Sequence, residues 1–222
     1  MHQAVIVGGS RGIGQNLARL ALPDYATLIL VDQERAGLWQ VREETSPTHR
    51  SRVCLMEEDL TQPDAAAAIT DTILMMGLIL SETEAPDIVI NVLDFQGIAA
   101  HTDQLWDPGA LSPHKILQNT LQFTRRLGYA MRRRGKGSIL NLLLLPDQPD
   151  EWLGEICQTT RDLLLETGET MMQAQIKVHT LCYSSTSLIL QTPALPEGLD
   201  PGLDLTTCSI QDLAFIGYRM LR

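Results

Sequence analysis

The run Val5-Ile-Val-Gly8-Gly-Ser-Arg-Gly12-Ile-Gly14 decides how the rest of the chain is read. The apolar residues Ala4–Val7 break into a glycine cluster. An amphipathic stretch, Gly12–Leu22, follows, with Ile13, Leu17, Leu20 and Ala21 on one helical face and Pro23 as its stop. Gly8 lets the chain turn sharply, Gly12 leaves room for a pyrophosphate to approach, and Gly14 permits close helix–strand packing. The helix N-terminus adds aligned N–H donors for an anion. A glycine triplet alone says little. Here it sits between a strand and a helix, and an acid, Asp32, ends the next strand, where a ribose hydroxyl would lie. The bland alternative is a tight strand–helix turn that holds no ligand.

Outward from this loop, strand and helix signals alternate, which predicts an α/β fold: a Rossmann-like, doubly wound parallel sheet of about six strands. The strands are Ala4–Val7, Thr27–Val31, Arg52–Met56, Asp87–Leu93, Ser138–Leu145 and Ile176–Cys182. The helices between them are Glu34–Glu44, Asp64–Leu80, Pro113–Arg134 and Glu151–Gln175, and a last one closes the chain at Gln211–Leu221. The leucines of the fifth strand suit burial on both faces. Tyr183–Thr207 is rich in proline, glycine and serine and reads as surface loop. No repeat, low-complexity tract or domain boundary stands out, so residues 1–222 are expected to form one domain.

Composition narrows the partners. The 222 residues carry 17 Lys+Arg against 27 Asp+Glu, a net charge of −10, which disfavours a nucleic-acid backbone or anionic membrane as the main partner. No apolar run approaches the roughly 20 residues needed to span a bilayer. The N-terminus shows no basic leader, and Cys54, Cys157, Cys182 and Cys208 form no C-x-x-C pair. Both features lead us to expect a cytoplasmic protein with reduced thiols.

The spacing of Gly8, Gly12 and Gly14, G-x-x-x-G-x-G, resembles that of the short-chain dehydrogenase/reductase family. Asp59-Leu60-Thr61 resembles the family's adenine-contacting D-[VL]-[TS]. Asp87-Ile-Val-Ile-Asn91 resembles the strand entering N-N-A-G, Gly137-Ser-Ile-Leu-Asn141 the strand that ends in the catalytic serine, and Ile176-Lys-Val-His-Thr-Leu181 the I-R-V-N-x-[IV] strand. The resemblance runs from Ala4 to about Leu221 and implies a nicotinamide dinucleotide cofactor. The candidate cofactor residues are Gly8, Ser10, Arg11, Gly12, Ile13, Gly14, Asp32, Asp59, Leu60 and Asn91. A carboxylate at Asp32 favours NAD over NADP, whose 2′-phosphate it repels, whereas a basic residue at Arg11 often accompanies that phosphate. Mutual neutralisation of Arg11 and Asp32 is the alternative.

The family's proton-handling set is missing in this register. Leu143 and Leu144 stand at the serine positions, Cys157-Gln-Thr-Thr-Arg161 replaces Y-x-x-x-K, and no Y-x-x-x-K occurs anywhere. Ile116 falls at the asparagine position, with Asn119 one turn later, and Asp94 replaces the glycine beside the nicotinamide ribose. Losing a positioned acid costs on the order of 10²–10⁴-fold in rate. Cys157 beside Arg161 reads either as an activated thiol or, more simply, as a small apolar residue packed on the leucine strand. The five histidines have no metal-ligand spacing.

Three functions follow: a non-catalytic family member acting as sensor, scaffold or regulatory subunit; an NAD-dependent oxidoreductase with atypical catalytic residues; or an interaction module that has lost the nucleotide. The first is the expectation, with no catalytic residue and no metal assigned. The family's seventh strand, after the last helix, is expected to be absent. A homodimer, or a complex with another protein, is expected on helices 113–134 and 151–175. The later helix carries Trp152, Ile156, Leu163, Leu164 and Met171, more apolar surface than one stripe requires.

Overall fold

The computed structural model describes residues 2–81, 85–95, 113–147, 151–173, 176–184, 187–191 and 210–221. One seven-stranded sheet organises them, in the order β3-β2-β1-β4-β5-β6-β7. The strands are β1 (Gln3–Val7), β2 (Thr27–Asp32), β3 (Val53–Glu57), β4 (Ile88–Asp94), β5 (Ser138–Leu144), β6 (Lys177–Ser184) and β7 (Ser187–Gln191). The first six are parallel, and β7 returns antiparallel on β6. The helices are α1 (Gly12–Ala21), α2 (Arg35–Glu44), a four-residue α3 (Pro47–Arg50), α4 (Ala65–Ser81), α5 (Pro113–Arg134), α6 (Glu151–Gln173) and α7 (Ile210–Met220).

Alternation along the strands builds two cores. Ala4, Ile6, Leu28, Leu30, Leu140 and Leu142 face α1, α2 and α7. Their neighbours Val5, Val7, Ile29, Val31 and Ile139 face α4, α5 and α6. Strands covered on both sides read as continuous apolar runs, which is why β1, β2 and β5 are so strongly apolar. The strand order reverses between β1 and β4, and in such sheets the crevice beyond the strand C-termini at that point is where ligands bind.

Two expectations change. Part of the stretch read as loop is strand: β6 runs on through Ser184, and Ser187–Gln191 pairs back on it from Thr180↔Gln191 to Ser184↔Ser187. The six parallel strands expected are all present, and the sheet gains a seventh, an antiparallel hairpin arm rather than a strand following the last helix. Among the described side chains of α6 the expected surplus apolar face is not exposed: Ile156, Leu164 and Met171 are buried inward and Leu163 is half-buried. Trp152 lies outside the residues whose side chains are described. The exposed charged side chains of α6 are acidic, Glu155, Asp162, Glu166 and Glu169, set among exposed Gln158, Thr159 and Thr170. Its neighbour α5 exposes Arg125, Arg126, Arg132 and Arg133.

Candidate functional site

The three glycines of the β1–α1 turn do different work. Gly8 has φ +80°, and a Cβ there would lie 2.7 Å from the Val92 carbonyl oxygen. A Cβ on Gly14 would fall 1.9 Å from the Gly8 carbonyl oxygen. Gly12, with φ +56°, has nothing within 4 Å of the same position, so the turn is open just where α1 begins. No side chain caps α1, and its first N–H groups are left for a ligand or water.

Asp32 closes the loop from β2. Its Oδ2 accepts the Ser10 N–H at 3.1 Å and its Oδ1 the Glu34 N–H at 3.2 Å, and each oxygen keeps further acceptor capacity. Arg11 does not neutralise it. The guanidinium lies 3.7 Å from Glu34 instead, on an exposed surface. Beyond β3, Asp59 shapes its own turn by accepting Thr61 N–H and Oγ1–H, each at 2.8 Å, and Gln62 Nε2–H at 2.9 Å. Partial burial pushes its carboxyl up, but the hydrogen bonds from Gln62 and Thr61 outweigh that and hold it below the ordinary value. Asn119, buried on α5, donates to the Leu60 and Gln62 carbonyls at 2.7 and 2.8 Å and fixes this turn from behind.

Gly8, Arg11, Gly12, Ile13, Asp32, Asp59 and Leu60 thus line one cleft over the strand ends. Three candidates do not. Gly14 lies beneath the turn, and Ser10 packs against α2, where its Cβ would crowd any side chain at Gly37. Asn91 is 1% exposed and donates to Thr124 Oγ1 at 3.0 Å and Asn141 Oδ1 at 2.8 Å. Asn141 in turn donates to Thr180 at 3.4 Å, making a polar ladder inside the sheet. Lining residues that the sequence reading passed over include Gln33 and Glu58 at the Asp32 end. The signal for them was position: each is the residue just past the C-terminal end of its strand, β2 or β3. At the other end the walls are Val92, Leu93, Asp94, Phe95, Ile116 and Leu144.

That second end is lined mostly by apolar side chains, with Asp94 among them. Leu143, Cys157 and Cys182 belong to one buried cluster with Leu93, Phe95 and Leu164. Burial pushes the Cys157 thiol up to about 11, so the reading as packed apolar residue is the one the surroundings favour over an activated nucleophile. Arg161 turns to Asp162 at 3.0 Å. Tyr129 is exposed on α5, and Tyr218 bonds Asp24 near the N-terminal ends of the strands, away from the cleft. Asp94 ends β4 in register with Leu144 and is half-buried. Among the described residues, no group of three or more His, Cys, Asp or Glu could hold a metal ion, and no helix is long and apolar enough to cross a membrane.

This arrangement has known counterparts. A metagenomic short-chain oxidoreductase in complex with NADP superposes with a TM-score of 0.61 at 19% identity, covering 82% of this chain and 81% of its own. A putative beta-ketoacyl-ACP reductase gives 0.63 at 18% identity over 97% and 90%. NAD⁺-bound xylitol dehydrogenase gives 0.62 at 14% identity over 83% and 70%. The fold is that of the short-chain dehydrogenases/reductases. A curated relative, galactitol 2-dehydrogenase (L-tagatose-forming) of Cereibacter sphaeroides, is 27% identical over 218 residues, covering 91% of this chain and 79% of its own. It supports membership of the same family. No family profile matches the chain.

Proposed function

We propose that this chain binds a nicotinamide dinucleotide across the cleft and acts as a short-chain-type oxidoreductase. The observation that carries the reading is the glycine turn, open above Gly12 and flanked by the Asp32 carboxylate. The uncapped start of α1 would face the diphosphate, Asp32 the adenosine ribose, and Leu60 with the Asp59 turn the adenine. The cofactor would accept or donate hydride. The substrate's proton must then go to a group of this chain, and Asp94 is the described titratable lining residue at that end. The relatives include enzymes named for polyols, which makes sugar alcohols the first substrates to try. Asp32 favours NAD over NADP. The test is protein-dependent change in reduced-nicotinamide absorbance with galactitol, xylitol and the matching ketoses, with each cofactor. Turnover with any of them supports the reading, and dinucleotide binding without turnover on a broad panel overturns the catalytic part.

The second reading, a non-catalytic sensor or scaffold, rests on the leucine-filled chemistry end: Leu143, Leu144 and Cys157 offer no proton at neutral pH. It predicts dinucleotide binding with no turnover. Under either reading we propose a homodimer through α5 and α6. A twofold axis between them would set the basic face of one protomer against the acidic face of its partner. Light scattering should show a dimer at low salt that weakens as salt rises. A monomer at tens of micromolar in low salt overturns it.

A further inference from the structure

We propose that β3 is a docking edge for a second copy of this chain, the two β3 strands pairing antiparallel about a twofold axis at Leu55. β3 closes one end of the sheet, and among the described residues only β2 pairs with it. Leu28 donates its N–H to the Arg52 carbonyl at 2.9 Å and Glu58 donates to the Asp32 carbonyl at 3.1 Å, which fixes the phase of that ladder. Alternate residues of a parallel strand bond to one neighbour, so Val53, Leu55 and Glu57 turn their N–H and C=O groups to the open edge. Native edges are commonly blocked by proline or a bulge. Val53–Glu57 contains no proline, and its register with β2 is unbroken. A groove lined by Trp39 and Arg42 of α2 and by Val53, Cys54 and Leu55 runs along this edge, and Trp39 is 42% exposed.

Charge selects the occupant. Antiparallel pairing about Leu55 sets Val53 opposite the partner's Glu57 and Arg52 opposite the partner's Glu58, and the twofold repeats both pairs. In that register each outward N–H and C=O meets its counterpart across the axis. Val53 and Leu55 pack on the α2 side, so Glu57 shares that face by alternation. With Arg35 at the Glu57 end of the groove, Arg42, about two turns further along α2, lies at the Val53 end. Burial pushes the Cys54 thiol up and the Arg42 charge opposes that shift, which also places the guanidinium there. Arg42 stacks over Trp39 at 5.2 Å, and its buried Nε has no hydrogen-bond partner. Among the described residues no ion pair engages Arg42, Arg52 or Glu58. Glu57 lies 3.8 Å from Arg35, too long for a hydrogen bond. The partner's Glu57 therefore supplies the carboxylate that Arg42 lacks. The pairing uses neither α5 nor α6. It adds to the pair proposed on those helices at higher protein concentration, since one short strand and one helix flank make a small interface.

Cross-linking reads this edge alone. In a Cys54→Ala background, Leu55→Cys places two thiols across the axis with Cα atoms about 5.5 Å apart, within the roughly 4.4–6.8 Å that a disulfide spans. Mild oxidation of the whole chain at high protein concentration should give a dimer linked through position 55, identified by peptide mass. Adding Arg42→Glu should slow linking about tenfold, and Arg42→Glu with Glu57→Arg should restore it, because the reversed charges meet again. Folded Leu55→Cys chain that stays unlinked, or linking that Arg42→Glu leaves unchanged, overturns the proposal and leaves the edge to an extended segment of another protein. If Leu55→Cys does not fold, sedimentation of the chain with its native Leu55 carries the test. Arg42→Glu should then remove the concentration-dependent step beyond the α5–α6 pair, and the double reversal should bring it back. Absence of any step that responds to position 42 overturns the β3 pairing and leaves the α5–α6 pair as it stands.

Discussion

The two ends of the cleft are built on different principles. At the glycine-turn end the geometry is made by backbone: positive φ at Gly8 and Gly12, the Ser10 and Glu34 N–H groups on Asp32, and the Asp59 turn held by Asn119. At the other end it is made by side chains, Val92, Leu93, Asp94, Phe95, Ile116 and Leu144, backed by the buried cluster that holds Leu143, Cys157 and Cys182. A backbone-built site tolerates few changes without losing its shape. A side-chain-built site can lose its chemistry while the fold stays intact, because a leucine fills the space of a catalytic group without leaving a cavity. Within one sheet, the shape of a turn and the character of a side-chain lining can therefore vary independently.

The sharpest way to break this contrast is Gly14→Ala. The added methyl group would meet the Gly8 carbonyl oxygen at 1.9 Å and the Gly8 carbonyl carbon at 2.9 Å, so the turn or α1 has to move. Overpacking against backbone is expected to cost about 3 kcal/mol and to abolish dinucleotide binding. Urea denaturation with a parallel cofactor titration measures both. A variant of wild-type stability that still binds NAD would show that the turn is not the rigid element claimed.

The backbone-built end was the legible one. Gly8, Gly12, Gly14 and Asp32 carry their conformational demands in their residue types, and the strand before them is short and apolar enough to be unambiguous. Asn91 was harder to place because a polar residue three positions before a strand end reads as a cleft residue. Its partners Thr124, Asn141 and Thr180 come from three distant elements, and no local pattern announces them. Strand β7 was hidden for a similar reason: five residues in a stretch punctuated by proline, glycine and serine become a strand only because Leu181 and Cys182 present a sheet edge to pair with. Of the apolar residues that made α6 look over-supplied, Ile156, Leu163 and Leu164 pack in or against the Leu143 cluster and Met171 packs with Ile139, contacts that lie far away in sequence.

Two further variants separate core roles from ligand roles. Asn91→Ala removes two of the three hydrogen bonds of the buried ladder and strands the Asn141 carbonyl oxygen, which should cost about 2 kcal/mol. Because Asn91 does not line the cleft, affinity per folded molecule should stay at the wild-type level. A clear loss of NAD affinity in the folded fraction would return Asn91 to the site. On β6, burial first and then the Lys177 charge push His179 down to about 4. Below pH 6.5 the unfolded chain takes up a proton there that the folded chain refuses, so stability should fall as pH drops from about 6.5 to about 4, by about 2 kcal/mol. Asp59 and Asp87, both held below the ordinary carboxyl value, act further down the pH scale. His179→Gln should flatten the upper window alone. An unchanged slope between pH 6.5 and 4 would show that His179 protonates freely in the fold.

The smallest effect is the most specific. Asp32→Ala removes an acceptor for the adenosine ribose of NAD, and in the same step removes a charge that repels the 2′-phosphate of NADP. It also releases the Ser10 and Glu34 N–H groups, which loosens the loop for either cofactor. That shared loss makes the absolute affinities hard to read but cancels in their ratio. The ratio of NAD to NADP affinity should therefore fall by about tenfold even though both affinities drop, equivalent to about 1.4 kcal/mol at this one carboxylate. Asp32→Asn refines the test, since it can retain a hydrogen bond to the ribose while losing the charge. If the ratio shifts fully in both variants, charge sets the preference; if it shifts only in Asp32→Ala, hydrogen bonding does. A ratio that moves in neither places the choice of cofactor elsewhere, with the exposed Arg11–Glu34 pair at the mouth of the turn as the next position to vary.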